Sequence, residues 1–240
     1  MIVLIDIGNT RTKYSIVKDG NRNPLKAISN SSLTVDFLDA NFKAATRMIV
    51  ASVSEQQLTE NLSSWCHTRK IIYQRVVSEA KKNGVITAYQ VPTQLGVDRW
   101  LTLIGAAEIF PNKNVLIIDA GTATTVDLLA ANGQHQGGWI LAGIDTLITS
   151  ILATTTQVHA NDKEKESVAF GKNTSENVHN AAWGATLGAI NLAISQAQHD
   201  GFVVDEVIFT GGNGTTLSTL IGCRSKVIEG LVFTGLQSYI

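Results

Sequence analysis

The sequence predicts an α/β protein built from two similar halves, and three observations carry that prediction. Short β-branched apolar runs alternate with helix-compatible stretches along the chain. Two of the runs, Ile2–Ile5 and Val115–Ile118, lead into the same kind of turn, Asp6-Ile7-Gly8-Asn9 and Asp119-Ala120-Gly121-Thr122. The chain has 240 residues, 44% of them hydrophobic and 16% charged, which is enough for one large or two small cores and shows no compositional sign of disorder.

Taken in order, Ile2 to Ile5 is a continuous apolar run that reads as a buried strand delivering polar residues at its end. Residues 12–17 roughly alternate and close at Lys18-Asp19-Gly20-Asn21, a hairpin signal, so the polar turn over 6–11 joins two antiparallel strands. Strand-like runs recur at 47–53 and 70–77, with helix-compatible stretches at 33–43 and 55–65. Val115 to Ile118 restarts the pattern and leads to a strand-like run over 124–129. The run Val207–Thr210 ends in Gly211-Gly212-Asn213-Gly214, where small residues let backbone approach a ligand. The polar, aperiodic stretch 159–175 reads as an exposed, mobile loop. The Ala-rich segment from about 175 to 197, with Gly184 and Gly188, reads as a long helix suited to close packing in the core or in a dimer contact. A boundary near residue 110 gives half-domains 1–110 and 111–240, which are expected to face each other across a cleft.

Several function classes are excluded. Nineteen basic and twenty acidic side chains leave a net charge of −1, with no global positive field for nucleic acid or an anionic membrane. Cys66 and Cys223 lack metal-ligand spacing, so the reading is two ordinary thiols rather than zinc or a disulfide framework. The opening run meets Asp6 too early for a signal peptide and no apolar run reaches membrane-spanning length, so the expected compartment is cytoplasmic. The GxxxxGK[ST], GxSxG and HExxH patterns are absent. His67, His135, His159, His179 and His199 are scattered, as expected for surface positions or local hydrogen bonds, and Trp65, Trp100, Trp139 and Trp183 read as packing residues.

The two turns carry the chemistry. Gly8 is expected to take a backbone shape closed to other residues, letting successive N–H groups form a nest for phosphate oxygens. Thr10 and Thr12 add hydroxyls and Lys13 a compact positive charge, while Asp6 can hold magnesium through water. Structural turns use the same residues, but two such strand ends are what a nucleotide cleft between half-domains needs. Asp119 and Asp127 are expected to add carboxylates to that cleft. A nucleotide carries about four negative charges, so a chain of net charge −1 needs cations and backbone donors there. Between the halves, the segment from Tyr89 to Trp100 contains Gly96-Val97-Asp98-Arg99 at the start of a helix-compatible run. An Asp-Arg pair at that place is either a plain ion pair or, beside a triphosphate, a base for an acceptor hydroxyl next to a cation for an acidic acceptor.

On these residues the chain resembles type III pantothenate kinases, of the acetate kinase, sugar kinase, Hsp70 and actin superfamily. Asp6 to Lys13 is similar to the family's first phosphate motif, and Asp119 to Asp127 to its second. Tyr89, Pro92 and Gly96 to Arg99 resemble the pantothenate motif, and Gly137 to Gly143 the adenosine-side motif. The resemblance implies two ribonuclease H-like half-domains with a nucleotide cleft, ATP with Mg2+, and K+ or NH4+. It implies ATP contacts from Asp6, Ile7, Gly8, Asn9, Thr10, Arg11, Thr12, Lys13 and Thr122, and a monovalent cation on Asp119. Tyr89, Gly96, Val97, Asp98, Arg99 and Thr174 would line the acceptor pocket, with Asp98 as proton acceptor for the primary hydroxyl of pantothenate. The implied product is 4′-phosphopantothenate, at the first step of coenzyme A synthesis, and the implied assembly a homodimer. Where the family usually has Pro, before the last Gly of the adenosine-side motif, this chain has Ala142. A sugar or acyl kinase or a phosphatase of the same superfamily, and a non-catalytic accessory transcription regulator, are the alternatives. The Tyr89–Arg99 segment and an intact Asp98 favour the pantothenate reading over both.

Overall fold

A computed structural model describes residues 1–54, 56–155, 159–161 and 164–240. Asp162 and Lys163, in the segment expected to be a mobile loop, lie outside the described residues, as does Glu55 at the start of the second expected helix. The chain divides into two compact units, Met1–Ile109 with Gly230–Ile240, and Phe110–Glu229.

The first unit runs β1 (Ile2–Ile7), β2 (Arg11–Lys18), β3 (Asn21–Arg22), β4 (Lys26–Ser29), α1 (Val35–Phe42), β5 (Arg47–Ser52), α2 (Gln56–Thr68), β6 (Ile72–Arg75), β7 (Lys81–Lys82), β8 (Val85–Ile86) and α3 (Val97–Ile109). The second runs β9 (Val115–Ala120), β10 (Ala123–Leu129), β11 (His135–Ala142), α4 (Ile144–Thr154), α5 (Thr174–His199), β12 (Glu206–Thr210), α6 (Gly214–Leu220) and β13 (Lys226–Val227), after which α7 (Leu231–Gln237) returns to the first. No described helix is long and apolar enough to cross a membrane.

The first sheet has the order β3-β2-β1-β5-β6, with β4 also on β2, and the second the order β11-β10-β9-β12-β13. In each, the leading strand pairs antiparallel with the next strand in sequence and parallel with a strand reached through a helical crossover. The repeat seen in the two Asp-x-Gly turns is therefore a repeat of topology.

β1 and β5 are apolar almost throughout because both faces of the first sheet are covered. By the two-residue alternation of a strand, Val3, Ile5 and Ile7 pack with Leu38 and Phe42 of α1 and Leu62 and Trp65 of α2. Leu4, Ile49 and Ala51 face the other way, in one cluster with Val97 and Leu101 of α3 and Phe233 and Leu236 of α7. In the second unit Leu116, Ile118, Val126 and Phe209 pack on Trp183, Leu187 and Ile190 of α5. Asn173 caps α5, accepting from the Glu176 N–H at 2.9 Å, while the Glu176 carboxylate accepts from the Lys172 N–H at 2.7 Å.

The last eleven residues, Gly230–Ile240, belong to the first unit, whereas the sequence reading placed them in the second half. Two glycines explain their docking. A Cβ on Gly105 would lie 2.6 Å from the Leu231 carbonyl oxygen, and one on Gly235 would overlap the backbone of Leu101. Only bare backbone lets α3 and α7 approach this closely. Trp100, fully buried, then donates its indole N–H to Tyr239 Oη at 3.1 Å, and Tyr239 donates to Glu79 at 2.6 Å.

Candidate functional site

In the first unit the turn between β1 and β2 closes through the Gly8 N–H donating to the Arg11 carbonyl at 3.0 Å. Gly8 is not in the left-handed region, contrary to the expectation from sequence. Its glycine is accounted for by space, since a Cβ would sit 3.2 Å from that same carbonyl oxygen. Asn9, Thr10, Arg11 and Lys13 are exposed, and Asp6 and Gly8 half-buried. Lys13 stands directly opposite Asp6 across the ladder, so the two side chains share one face of the sheet.

The side chains of Ile7 and Thr12 are fully buried and offer nothing to a ligand. Thr12 donates its hydroxyl to Asn30 Oδ1 at 2.9 Å, so it braces the turn from behind. Alternation along β2 is the cause: the even positions Thr12 and Tyr14 turn into the α1 side, and the odd positions Arg11 and Lys13 turn out.

The segment expected to receive the acceptor belongs to the same unit. Arg99 is 4% exposed and donates from Nη1 to Tyr89 Oη at 3.0 Å, its guanidinium 5.9 Å from the Tyr89 ring centroid. Asp98, half-buried in the first turn of α3, accepts from the Arg99 N–H at 2.8 Å, where the helix N-terminus favours a negative group. Gly96 makes room for it: a Cβ there would fall 2.6 Å from Asp98 Oδ1. A cavity of about 230 Å³ opens beside this helix start, lined by Ser52 and Arg75 at the carboxyl ends of β5 and β6 and by Thr93 to Val97. Of the residues expected at the acceptor, Gly96 and Val97 line that cavity, and Tyr89 and Arg99 are joined to each other.

The turn and this helix start share one side of the sheet. Asp6 is in register with Ala51, and Ala51 packs in the same buried cluster as Val97. Ile7 is in register with Ser52, which lines the cavity. Neighbouring strands lie roughly 5 Å apart, so the cavity begins about one strand spacing from the end of β1.

The second unit presents its own assembly at the end of β9. Asp119 is half-buried, and Thr122 is exposed on a turn closed by the Gly121 N–H donating to the Ala123 carbonyl at 2.9 Å. The Thr122 carbonyl accepts from the Gly143 N–H and from the Thr146 hydroxyl, both at 3.1 Å. Gly143 is obligatory, because a Cβ would lie 2.5 Å from that carbonyl oxygen. Gly211, with φ +84°, folds over the strand end so closely that a Cβ would meet Asp119 Oδ1 at 2.5 Å and the Ala120 carbonyl at 2.6 Å. The Ala120 carbonyl accepts from the Asn213 N–H at 3.0 Å, and a carboxylate beside such a carbonyl offers oxygen donors of the kind a hard cation takes. The glycine run at 211–214 signalled this approach in the sequence, but its partner Asp119 could not be read there. Thr174, also expected at the acceptor, is an exposed residue of this second unit, the first of α5.

Asp127 does not stand at the strand end with Asp119 and Thr122, which corrects the expectation from sequence. It is 1% exposed and lies 2.9 Å from Nε2 of the buried His135, next to a bulge between β10 and β11. Asp119 is in register with Thr125, so Asp127 sits two positions further from the turn. Trp65, Trp100 and Trp183 are buried as expected, whereas Trp139, on the edge strand β11, is 37% exposed. His179 is buried against the Asn161 carbonyl at 3.0 Å, a local bond of the expected kind.

Comparison with known proteins gives a consistent result. The sequence profile of the family described as type III pantothenate kinase matches residues 2–196. The type III pantothenate kinase of Colwellia psychrerythraea is 51% identical over 249 residues, covering 100% of both chains. Among solved structures, a protein assigned to the Baf family of transcriptional activators from Campylobacter jejuni aligns with TM-score 0.62 at 20% identity, over 98% of this chain and 95% of the other. A protein assigned as a 2-dehydro-3-deoxygalactonokinase from Sinorhizobium meliloti aligns with TM-score 0.63 at 14% identity, over 99% and 97%. These two likenesses establish the two-unit α/β fold and nothing beyond it.

Proposed function

The chain belongs to the type III pantothenate kinase family, and on that premise we propose that Asp98 accepts the proton of the pantothenate hydroxyl while the Asp6–Lys13 turn holds the phosphates of ATP. The reaction is ATP-dependent phosphorylation of pantothenate in coenzyme A synthesis, with a divalent metal accompanying the nucleotide. One observation supports the residue assignment above the others: Asp6, Lys13 and the start of α3 lie on the same side of one sheet, with a cavity beside Gly96 and Val97.

Phosphoryl transfer passes through a loose transition state, so positioning and charge neutralisation dominate over the base. Lys13 supplies a point charge and the turn supplies N–H donors. Arg99 is pre-oriented by Tyr89 and suits the acceptor's carboxylate, which leaves the hydroxyl end for Asp98. Asp6 would hold Mg2+ through water, and Asp119, with the Ala120 carbonyl close by, would hold K+ or NH4+. These cations would neutralise charge on the phosphates. Tyr89, Gly96 to Arg99 and Thr174 remain the proposed acceptor contacts, and Asp6 to Lys13 with Thr122 the nucleotide contacts, those of Ile7 and Thr12 being indirect through the backbone.

A cytoplasmic homodimer is the proposed form. On α5, Leu192 is 59% exposed, and a Cβ on Gly184 or Gly188 would meet no described atom within 4 Å beyond the helix's own backbone, so among the described residues nothing packs closely against these two positions. A Gly188→Arg variant should then sediment as a monomer, and an unchanged sedimentation coefficient would remove that contact. The activity is tested by incubating the protein with ATP, Mg2+, K+ and a panel of hydroxylated acids and sugars. Phosphorylation of pantothenate alone is expected, and a phosphorylated sugar, or no product, contradicts the reading.

A further inference from the structure

We propose that Asn30 is a positioning residue for the phosphates of ATP, because its side-chain amide sets the direction of the peptide groups in the Gly8–Thr10 turn. The proposal rests on the reading that this turn holds the phosphates. Asn30 follows β4, which pairs with β2 so that Ser29 stands opposite Arg11. Its Nδ2 donates to the Gly8 carbonyl at 2.8 Å and to the Asn9 carbonyl at 3.2 Å. Its Oδ1 accepts from the buried Thr12 hydroxyl at 2.9 Å, and its backbone N–H donates to the Thr10 carbonyl at 3.4 Å. The two carbonyls, which can only accept, fix which end of the amide is nitrogen, and the Thr12 hydroxyl then donates to the oxygen end.

The consequence follows from the planarity of a trans peptide, in which C=O and N–H point in opposite directions. The Gly8 carbonyl shares its peptide group with the Asn9 N–H, and the Asn9 carbonyl shares its own with the Thr10 N–H. Drawing both carbonyls toward Asn30 turns both N–H groups to the opposite, exposed side. Two adjacent donors aimed outward make an anion-binding concavity, one that needs no left-handed glycine. The second unit uses the same device with different donors. There the Gly143 N–H and the Thr146 hydroxyl hold the Thr122 carbonyl, which turns the Ala123 N–H away from them.

The decisive variant is Asn30→Asp, which keeps the shape and the acceptor for Thr12 but places a carboxylate oxygen against two carbonyl oxygens. The KM for ATP should rise roughly 10–100-fold, the effect of losing two hydrogen bonds, while the KM for pantothenate stays within about twofold. Asn30→Ala, which only vacates the site, carries the same expectation at roughly 5–30-fold and serves should the first variant not fold. Lys13→Ala is measured alongside. A raised ATP KM for Lys13→Ala with none for the Asn30 variants overturns the role of Asn30 alone. If neither position moves the ATP KM, the phosphate reading of the turn is overturned as well. Parallel loss in both substrate constants and in thermal midpoint would show Asn30 to be merely structural, which also overturns the proposal.

Discussion

Replacing Gly235 by alanine tests how α3, the helix that carries Asp98 in its first turn, is seated. The added methyl would overlap the Leu101 carbonyl oxygen and lie 2.8 Å from the carbonyl carbon and 2.9 Å from the Cα of the same residue. All three are helix backbone, which cannot yield atom by atom, so α7 must shift as a body. Overpacking of this kind costs roughly 1–3 kcal/mol, and alanine's better helix propensity offsets up to about 1 kcal/mol of it. A net loss of about 1–2 kcal/mol lowers the thermal midpoint of a chain of this length by roughly 2–8 °C. A shift carried along α3 to Asp98 would act on turnover too, since about 1 Å of misplacement can cost up to about 10²-fold. Gly105→Ala attacks the same contact from the other helix, so the double variant should lose less than the sum of the singles. Thermal melts followed by circular dichroism decide the matter, and an unchanged or raised midpoint for Gly235→Ala would refute the close-packing account.

Other outcomes are open to direct measurement. Cys66 is fully buried, and burial pushes its thiol from 9.0 up to about 11, whereas Cys223 is exposed. A thiol reagent at pH 8 should therefore titrate one cysteine in the native protein and two after unfolding, and two fast native thiols would contradict the burial. The same raised thiol stabilises the fold fully below about pH 9 and loses that contribution as pH climbs through about 11, so melting points should fall over this window and fall less steeply in Cys66→Ala. Substituting sodium for potassium should depress turnover if Asp119 holds a monovalent cation, and indifference to the exchange would remove that ligand.

The parts of the fold that were legible are those whose sequence pattern is set by burial on both faces. The run Ile2–Ile5 had to be a covered central strand, and the repeat at Val115–Ile118 announced a second copy. β4 was not legible, because Lys26–Ser29 is mostly exposed and owes its strand shape to pairing with β2. α7 was hidden for a related reason: seven residues with a glycine inside are a poor helix locally, and the contact with α3 that rescues them is remote in sequence. At the candidate site, residue types marked the two turns and the Asp98 segment, but not the direction of each side chain. Thr12 reads in the sequence as a ligand hydroxyl, because its register on β2 is fixed only by pairing with β1. Asp127 reads in the sequence as a cleft carboxylate because its pairing with His135 depends on a bulge, and Asn30 carries no signal, since its partners are defined by the pairing of β4 with β2.

Turnover of Asp98→Asn, compared with the unaltered protein under saturating ATP and pantothenate, addresses the chemistry most directly. The amide keeps an oxygen for the Arg99 N–H, so the variant should fold and melt as before while losing the ability to take a proton. A fall of roughly 10²–10⁴-fold in kcat is expected. A variant that turns over within about threefold of the original would mean that another group receives the proton, and the assignment of Asp98 would be wrong.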